Sequence, residues 1–232
     1  MRIYFASASS SLGWILVAQN DSDQVTNVCL ADTKLEAEQE LRDCHPTTAL
    51  SPGHSVSLLS VLEKLVAFTE DPSVDLDLPT DARGTDFQRE VWRAIRKIPV
   101  GETTTYADIA ARLDDTKAVR AVAQACGANP LALIIPCHRV LRSDGSTCGY
   151  RWGEDRKKKL LELEKRVSDK PRSSAFARGK GDVHVVPMSV IRRPMPSELD
   201  ENKVRAFMEE MRFVQSPNVW FQRFMQKYNG SC

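Results

Sequence analysis

The chain lacks several features that would place it quickly. None of its apolar runs approaches the roughly 18 residues that a membrane span requires. Its opening, MRIYFASASS, has neither the charged start nor the long apolar core of a secretory signal. The six cysteines (Cys29, Cys44, Cys126, Cys137, Cys148, Cys232) form no CxxC pair, which argues against a disulfide framework and against a zinc ribbon. There is no internal repeat. These absences predict an intracellular globular protein with reduced thiols, nuclear in a eukaryote and cytoplasmic in a bacterium. What is present is a chain of 232 residues, 42% of them hydrophobic, enough to bury a core and make one or two domains.

The net charge of +1 conceals an asymmetry. Residues 1–90 carry 6 Lys or Arg against 15 Asp or Glu, residues 91–160 carry 13 against 7, and residues 161–232 carry 13 against 9. A basic middle section in a nearly neutral protein suggests an anionic partner there, because phosphates attract Lys and Arg irrespective of sequence. A solvated basic face is the competing reading.

IYFAS, GWILVAQ and VTNVCLA alternate like half-buried strands and predict a small antiparallel sheet. TKLEAEQELRDC, capped by Asp32, and VSLLSVLEKLVAF, with Leu58, Leu59, Leu62, Leu65 and Val66 at helical spacing, predict two helices. Residues 1–82 thus read as an α/β domain. Residues 83–168 read as a mostly α domain. There Phe87, Val91, Trp92 and Ile95 share one helix face, and TYADIAARL and KAVRAVAQACGAN, joined by DDTK, fit a helix-turn-helix. VLRSDGSTCGY predicts a hairpin turning at Asp144-Gly145, and EDRKKKLLELEKRV another helix. The polar, basic stretch 169–182 reads as a linker, and 183–232 as a separate tail.

The stretch IIPCHRVLRS sets Cys137 directly before His138 and Arg139. A thiol reacts as thiolate, so a nucleophilic cysteine needs a base or a positive environment. The neighbouring histidine cannot usually reach that thiol directly; a water between them, with a carboxylate behind the imidazole, would serve, and Glu164 is the candidate carboxylate. A buried core thiol is the competing reading of Cys137.

The run from GTDFQREVW through TTTYADIAARL, KAVRAVAQACGANP, IIPCHRV and GYRWG to LELE closely resembles the O6-alkylguanine-DNA alkyltransferases. The resemblance is strongest to the carboxy-terminal half of the bacterial adaptive-response (Ada) protein. It is dense from about Gly84 to Glu164 and extends in layout over residues 1–168. It implies transfer of an alkyl group from O6-alkylguanine, and from O4-alkylthymine, in DNA to Cys137, once per molecule, without cofactor or metal. His138 matches the base acting through a water, Glu164 the carboxylate completing the relay, and Tyr106 the tyrosine donating toward the departing guanine. Asn129 matches an asparagine tying the recognition helix to the active-site segment. Arg120 matches the arginine that takes the extruded base's place, with Ala118, Ala121 and Ala125 permitting close approach to the backbone in the minor groove. Pro136, Tyr150 and Arg151 border the base pocket. The implied partner is double-stranded DNA carrying alkylated bases, met by a monomer with no membrane attachment. Taken singly, Tyr106 reads as a capping aromatic, Arg120 as a solvated helix residue and Glu164 as half of a surface pair with a neighbouring lysine; taken jointly, at this spacing around PCHRV, those readings give way.

Two features depart from the family. The adaptive-response protein has a zinc-thiolate domain ahead of this region, and no sensor role is carried over. Some relatives hold zinc in the amino-terminal domain, but Cys29, Cys44, His45 and His54 fit no standard zinc spacing. The stretch VHVVPMSVIRRPMPSELDENKVRAFMEEM resembles the opening of sulfiredoxin, without that family's GGCHR stretch. A non-catalytic protein that binds alkylated bases and recruits other repair factors is the alternative function; relatives of that kind lack the cysteine, so Cys137 weighs against it.

Overall fold

Three strands follow one another and pair antiparallel: β1 (Arg2–Ser10), β2 (Gly13–Asn20) and β3 (Val25–Ala31). A fourth, β4 (Ala49–Pro52), lies parallel to β1 and completes the order β3-β2-β1-β4. The sheet is therefore mixed, where the sequence predicts an antiparallel one. β4 falls inside the turn-rich HPTTALSPGH, and its proline is tolerated because an edge strand leaves one row of N–H positions unpaired. The coordinates come from a computed structural model that describes residues 2–147 and 149–168. The regions read as linker (169–182) and tail (183–232) lie outside the described residues.

The central strands are buried on both faces rather than half-buried, as Ile15–Gln19 of β2 and all of β3 show. The reason is a helix on each side. Helix α1 (Lys34–Cys44) sets Ala37 and Leu41 against Ile3, Phe5, Leu16 and Ala18. Helix α2 (Val56–Glu70) sets Leu58, Leu62 and Leu65 against the opposite set, Ile15, Val17 and Val28. Side chains alternate across a strand, so one apolar run serves two cores, each large side chain contributing about 1.5–3 kcal/mol. Thr33, not Asp32, caps α1: its hydroxyl accepts from the Glu36 N–H and the Glu36 carboxylate accepts from the Thr33 N–H, both at 3.2 Å.

Helix α3 (Asp86–Arg96) buries Val91, Trp92 and Ile95, with Phe87 partly buried beside them. A short strand, β5 (Thr104–Thr105), runs directly into α4 (Tyr106–Arg112), and a turn passing through Asp114 at φ 58° leads to α5 (Val119–Gly127). A single 3-10 turn, Cys137–Arg139, enters β6 (Val140–Leu141), and α6 (Glu154–Ser168) follows. Asp144-Gly145 does turn, closed by Gly145 N–H to Arg142 O at 2.9 Å, but no returning strand forms among the described residues. β6 pairs instead, in parallel, with β5.

Backbone pairing beyond the named strands positions the site. The outer edge of β3 is covered by the segment that precedes Cys137: the Val28 N–H donates to Pro130 O at 2.8 Å, and the Ala132 N–H to Val28 O at 3.1 Å. One apolar cluster runs from Ile15 and Leu58 through Trp92 and Val122 to Cys137 and Leu160. The nucleophile candidate is thus built onto the sheet itself. No described helix is long and apolar enough to cross a membrane.

Candidate active site

Between α5 and the 3-10 turn the chain is buried at nearly every residue and bends sharply. Leu133 sits at φ 67°, a left-handed conformation that costs a bulky L-residue roughly 1–2 kcal/mol and is held by its burial. The Cys137 N–H donates to Ile135 O at 2.8 Å, which sets the thiol at the first position of the turn. Its Sγ lies 2.6 Å from Nδ2 of Asn129, which also donates to Ile135 O at 2.9 Å, while Asn129 Oδ1 accepts from the Leu131 N–H at 2.9 Å. Asn129 is fully buried and its amide is satisfied at both ends, so it splints the end of α5 to the nucleophile segment. Burial pushes the Cys137 thiol up to about 11, against the opposing pull of the Asn129 N–H and of Lys157 and Arg151.

His138 and Glu164 are likewise fully buried and meet at 2.8 Å, Nε2 to Oε1. The carboxylate can only accept, so Nε2 carries the proton and Nδ1 keeps a lone pair. No hydrogen-bond partner among the described residues meets that Nδ1. Burial holds the imidazole below its ordinary 6.5 despite the carboxylate, leaving it neutral with a lone pair at Nδ1. For Glu164 burial acts upward, yet hydrogen bonds and charge from His138 and Arg139 hold its carboxyl down at about 2. Glu164 is therefore no half of a surface lysine pair.

Two buried basic side chains escaped the sequence reading. Arg139 places Nε 3.0 and 3.1 Å from the two oxygens of Glu164 and Nη2 2.8 Å from Oε1, with Nη1 on Ile98 O at 2.6 Å. The Gly101 N–H adds a further donor to Glu164 Oε2 at 3.2 Å. Lys157 is fully buried, with Nζ 2.6 Å from Val140 O. Its signal was available, since Lys157, Leu160 and Glu164 fall on one helical face. Arg139 carried none, because its carboxylate lies 25 residues away.

Around this nest stand the remaining sequence candidates. Tyr150 is buried with its ring edge-on to His138 at 6.4 Å, and its hydroxyl has no hydrogen-bond partner among the described residues. Tyr106, the first residue of α4, is half-buried and raised to about 12, first by burial and then by the negative charge Cys126 and Cys137 would carry as thiolates. Pro136 precedes the turn and is buried. Arg151 turns its side chain toward α1, where it meets Glu40.

Arg120 is exposed on the first turn of α5. Ala118 and Ala125 do not share that surface. Both are buried, Ala118 at the residue before α5 and Ala125 within it, where its carbonyl accepts from Trp92 Nε1 of α3 at 2.8 Å. Ala121 is partly exposed, and the outward stripe of α5 is Arg120, Ala123, Gln124 and Gly127. Cys29 is buried, Cys44 and His54 are exposed, and His45 Nε2 meets Asn27 Oδ1 at 2.5 Å. No three His, Cys, Asp or Glu among the described residues could jointly hold a metal.

A buried thiol with a hydrogen-bond donor on its sulfur, next in the chain to a neutral imidazole backed by a carboxylate, is the set of groups that cysteine-nucleophile chemistry requires. Residues 86–166 match the family model for the DNA-binding domain of 6-O-methylguanine DNA methyltransferase. The chain is 42% identical over 164 residues to the bifunctional transcriptional activator/DNA repair enzyme Ada of Escherichia coli, covering 71% of this chain and 46% of that protein. It is 36% identical over 166 residues to the methylated-DNA–protein-cysteine methyltransferase of Mycolicibacterium paratuberculosis, covering 72% of this chain and 94% of the relative. The crystal structure of Mycobacterium tuberculosis OGT in complex with DNA superposes with a TM-score of 0.60 at 33% identity, covering 70% of this chain and 93% of that one. The chain belongs to the methylated-DNA–protein-cysteine methyltransferase family. It spans less than half the length of the Ada relative and nearly all of the mycobacterial one.

Proposed function

We propose that this protein repairs DNA directly, moving an alkyl group from O6-alkylguanine, or from O4-alkylthymine, onto Cys137 once per molecule. The observation that carries this reading is the closed polar set at Cys137: a thiol held by Asn129, beside an imidazole bound to Glu164 through Nε2 and open at Nδ1. Sγ attacks the alkyl carbon; a C–S bond forms, the C–O bond breaks, and its electron pair leaves on guanine. At a pKa near 11 only about one thiol in 10⁴ is ionised at neutral pH, so proton removal has to accompany attack. The proton passes through a water to His138 Nδ1, and Glu164 stabilises the imidazolium. Tyr106, protonated because its pKa is near 12, donates toward the departing guanine and is reprotonated through solvent with the proton the relay took up. The thioether formed has no leaving route.

The target base lies in a duplex and has to be turned out to be reached. α4 and α5 act as a helix-turn-helix, α5 enters the minor groove, and Arg120 fills the vacated place in the stack. The exposure of Arg120 and the two small residues of the outward stripe, Ala123 and Gly127, support this placement. Pro136, Tyr150 and the backbone at Arg151, whose side chain turns to Glu40, border the pocket, and the protein acts as a monomer.

Intact-protein and peptide mass spectrometry after mixing with duplex DNA carrying O6-methylguanine tests the proposal. One methyl group on the Cys137 peptide, with guanine restored, is the expected result. Cys137→Ala should bind the DNA and accept nothing; methyl removal by that variant would sink the mechanism.

A further inference from the structure

The loop that borders the nucleophile, residues 149–153, is fastened from a distant part of the chain. Glu40, on α1, accepts at one oxygen from Arg151 Nε at 3.0 Å, from Arg151 Nη2 at 2.9 Å and from Trp152 Nε1 at 3.2 Å. Arg151 Nη1 in turn donates to the backbone carbonyl of Asn129 at 3.3 Å, and Asn129 holds the Cys137 sulfur. Trp152 lies against Tyr150, and Tyr150 against His138. The loop begins and ends on Gly149 and Gly153 at φ 86° and 98°, conformations that glycine adopts without penalty. Both members of the Glu40–Arg151 pair keep about a quarter of their side-chain surface exposed, so the fastening is one that can open.

We propose that Glu40 is a positioning residue for alkyl transfer: it latches the 149–153 loop over the site and thereby sets how large an alkyl group the pocket accepts. This rests on the alkyl-transfer reading above. Latched, Tyr150 and Asn129 hold the nucleophile's surroundings tight, which suits a methyl group; released, the loop yields room for a bulky one at the expense of alignment.

The test compares single-turnover transfer from O6-methylguanine and O6-benzylguanine in duplex DNA for wild type, Glu40→Gln and Glu40→Asp, with DNA affinity and Trp emission measured alongside. Glu40→Gln should slow methyl transfer roughly fivefold, raise the benzyl-to-methyl rate ratio by a similar factor, leave DNA affinity unchanged and shift Trp emission. Glu40→Asp, which keeps the carboxylate, should restore most of the wild-type ratio. An unchanged ratio in Glu40→Gln overturns the latch, and so does an equal fall of both rates with lowered thermal stability that Asp does not rescue. Wild-type protein that takes up no methyl group would bring down the alkyl-transfer reading, and the latch with it.

Discussion

Residues Ile15–Ala18 in β2 are entirely buried and entirely apolar. Residues Cys137–Val140 are buried to the same degree, yet they include an imidazole and a guanidinium. In β2 stability comes from area removed from water, which depends on volume and little on orientation. Around Cys137 it comes from partners meeting at fixed atoms, because each unpaired buried charge would cost several kcal/mol. Equal burial therefore produces unequal tolerance: the sheet accepts a change of shape more readily than the nest accepts a missing partner.

Removing Glu164 should have the largest effect. Glu164→Ala leaves Arg139 buried without its carboxylate and His138 without its orienter, so about 3–5 kcal/mol of stability should be lost together with alkyl transfer, read by denaturant unfolding and by mass. A smaller effect on unfolding than that of Leu16→Ala would break the contrast between the two regions. Acid should expose the same dependence. The Glu164 carboxyl is held at about 2 in the folded protein against an ordinary 4.5, so its contribution, about 3 kcal/mol, is present above pH 4.5 and lost as pH falls toward 2. The depressed His138 acts in the same direction from 6.5 downward, since unfolding there binds a proton that the native state refuses. Glu164→Gln should flatten the lower part of this profile.

Leu16→Ala, deep in the sheet, should cost about 2–4 kcal/mol without altering the rate of transfer in protein that remains folded. Arg120→Ala should leave stability within about 0.5 kcal/mol while slowing repair of duplex DNA more than reaction with free O6-methylguanine. The smallest effect belongs to Lys34→Ala: its ion pair with Glu38 spans 3.9 Å on an exposed helix face, and melting should move by less than the equivalent of about 0.5 kcal/mol.

Local features were readable in advance. The apolar face of α3 at Val91, Trp92 and Ile95 follows from helical periodicity, and α2 likewise shows its core through Leu58, Leu62 and Leu65. Reading failed where two local answers were equally good or where the deciding partner was remote. Asp32 and Thr33 are both competent caps, and only the reciprocal bond from Glu36 selects Thr33, while Asp32 pairs with Arg156 on α6. β4 is four residues long and pairs with β1 across more than forty residues, so it leaves almost no local pattern. Ala118 and Ala125 read as an outward small-residue face because helical phase shows which residues share a face, not which neighbour it meets.

The sequence by itself determined where the helices lie, which residues pack together on each, and that Cys137 stands beside a histidine with a carboxylate on a later helix. Those properties follow from spacing along one segment of chain. Only the tertiary structure decided that His138 is neutral, that Arg139 and Lys157 lie in the interior, that Glu164 stays ionised and that Glu40 reaches the loop beside His138. Each of these depends on desolvation and on hydrogen bonds supplied by remote segments, and no local pattern encodes which distant atom will arrive.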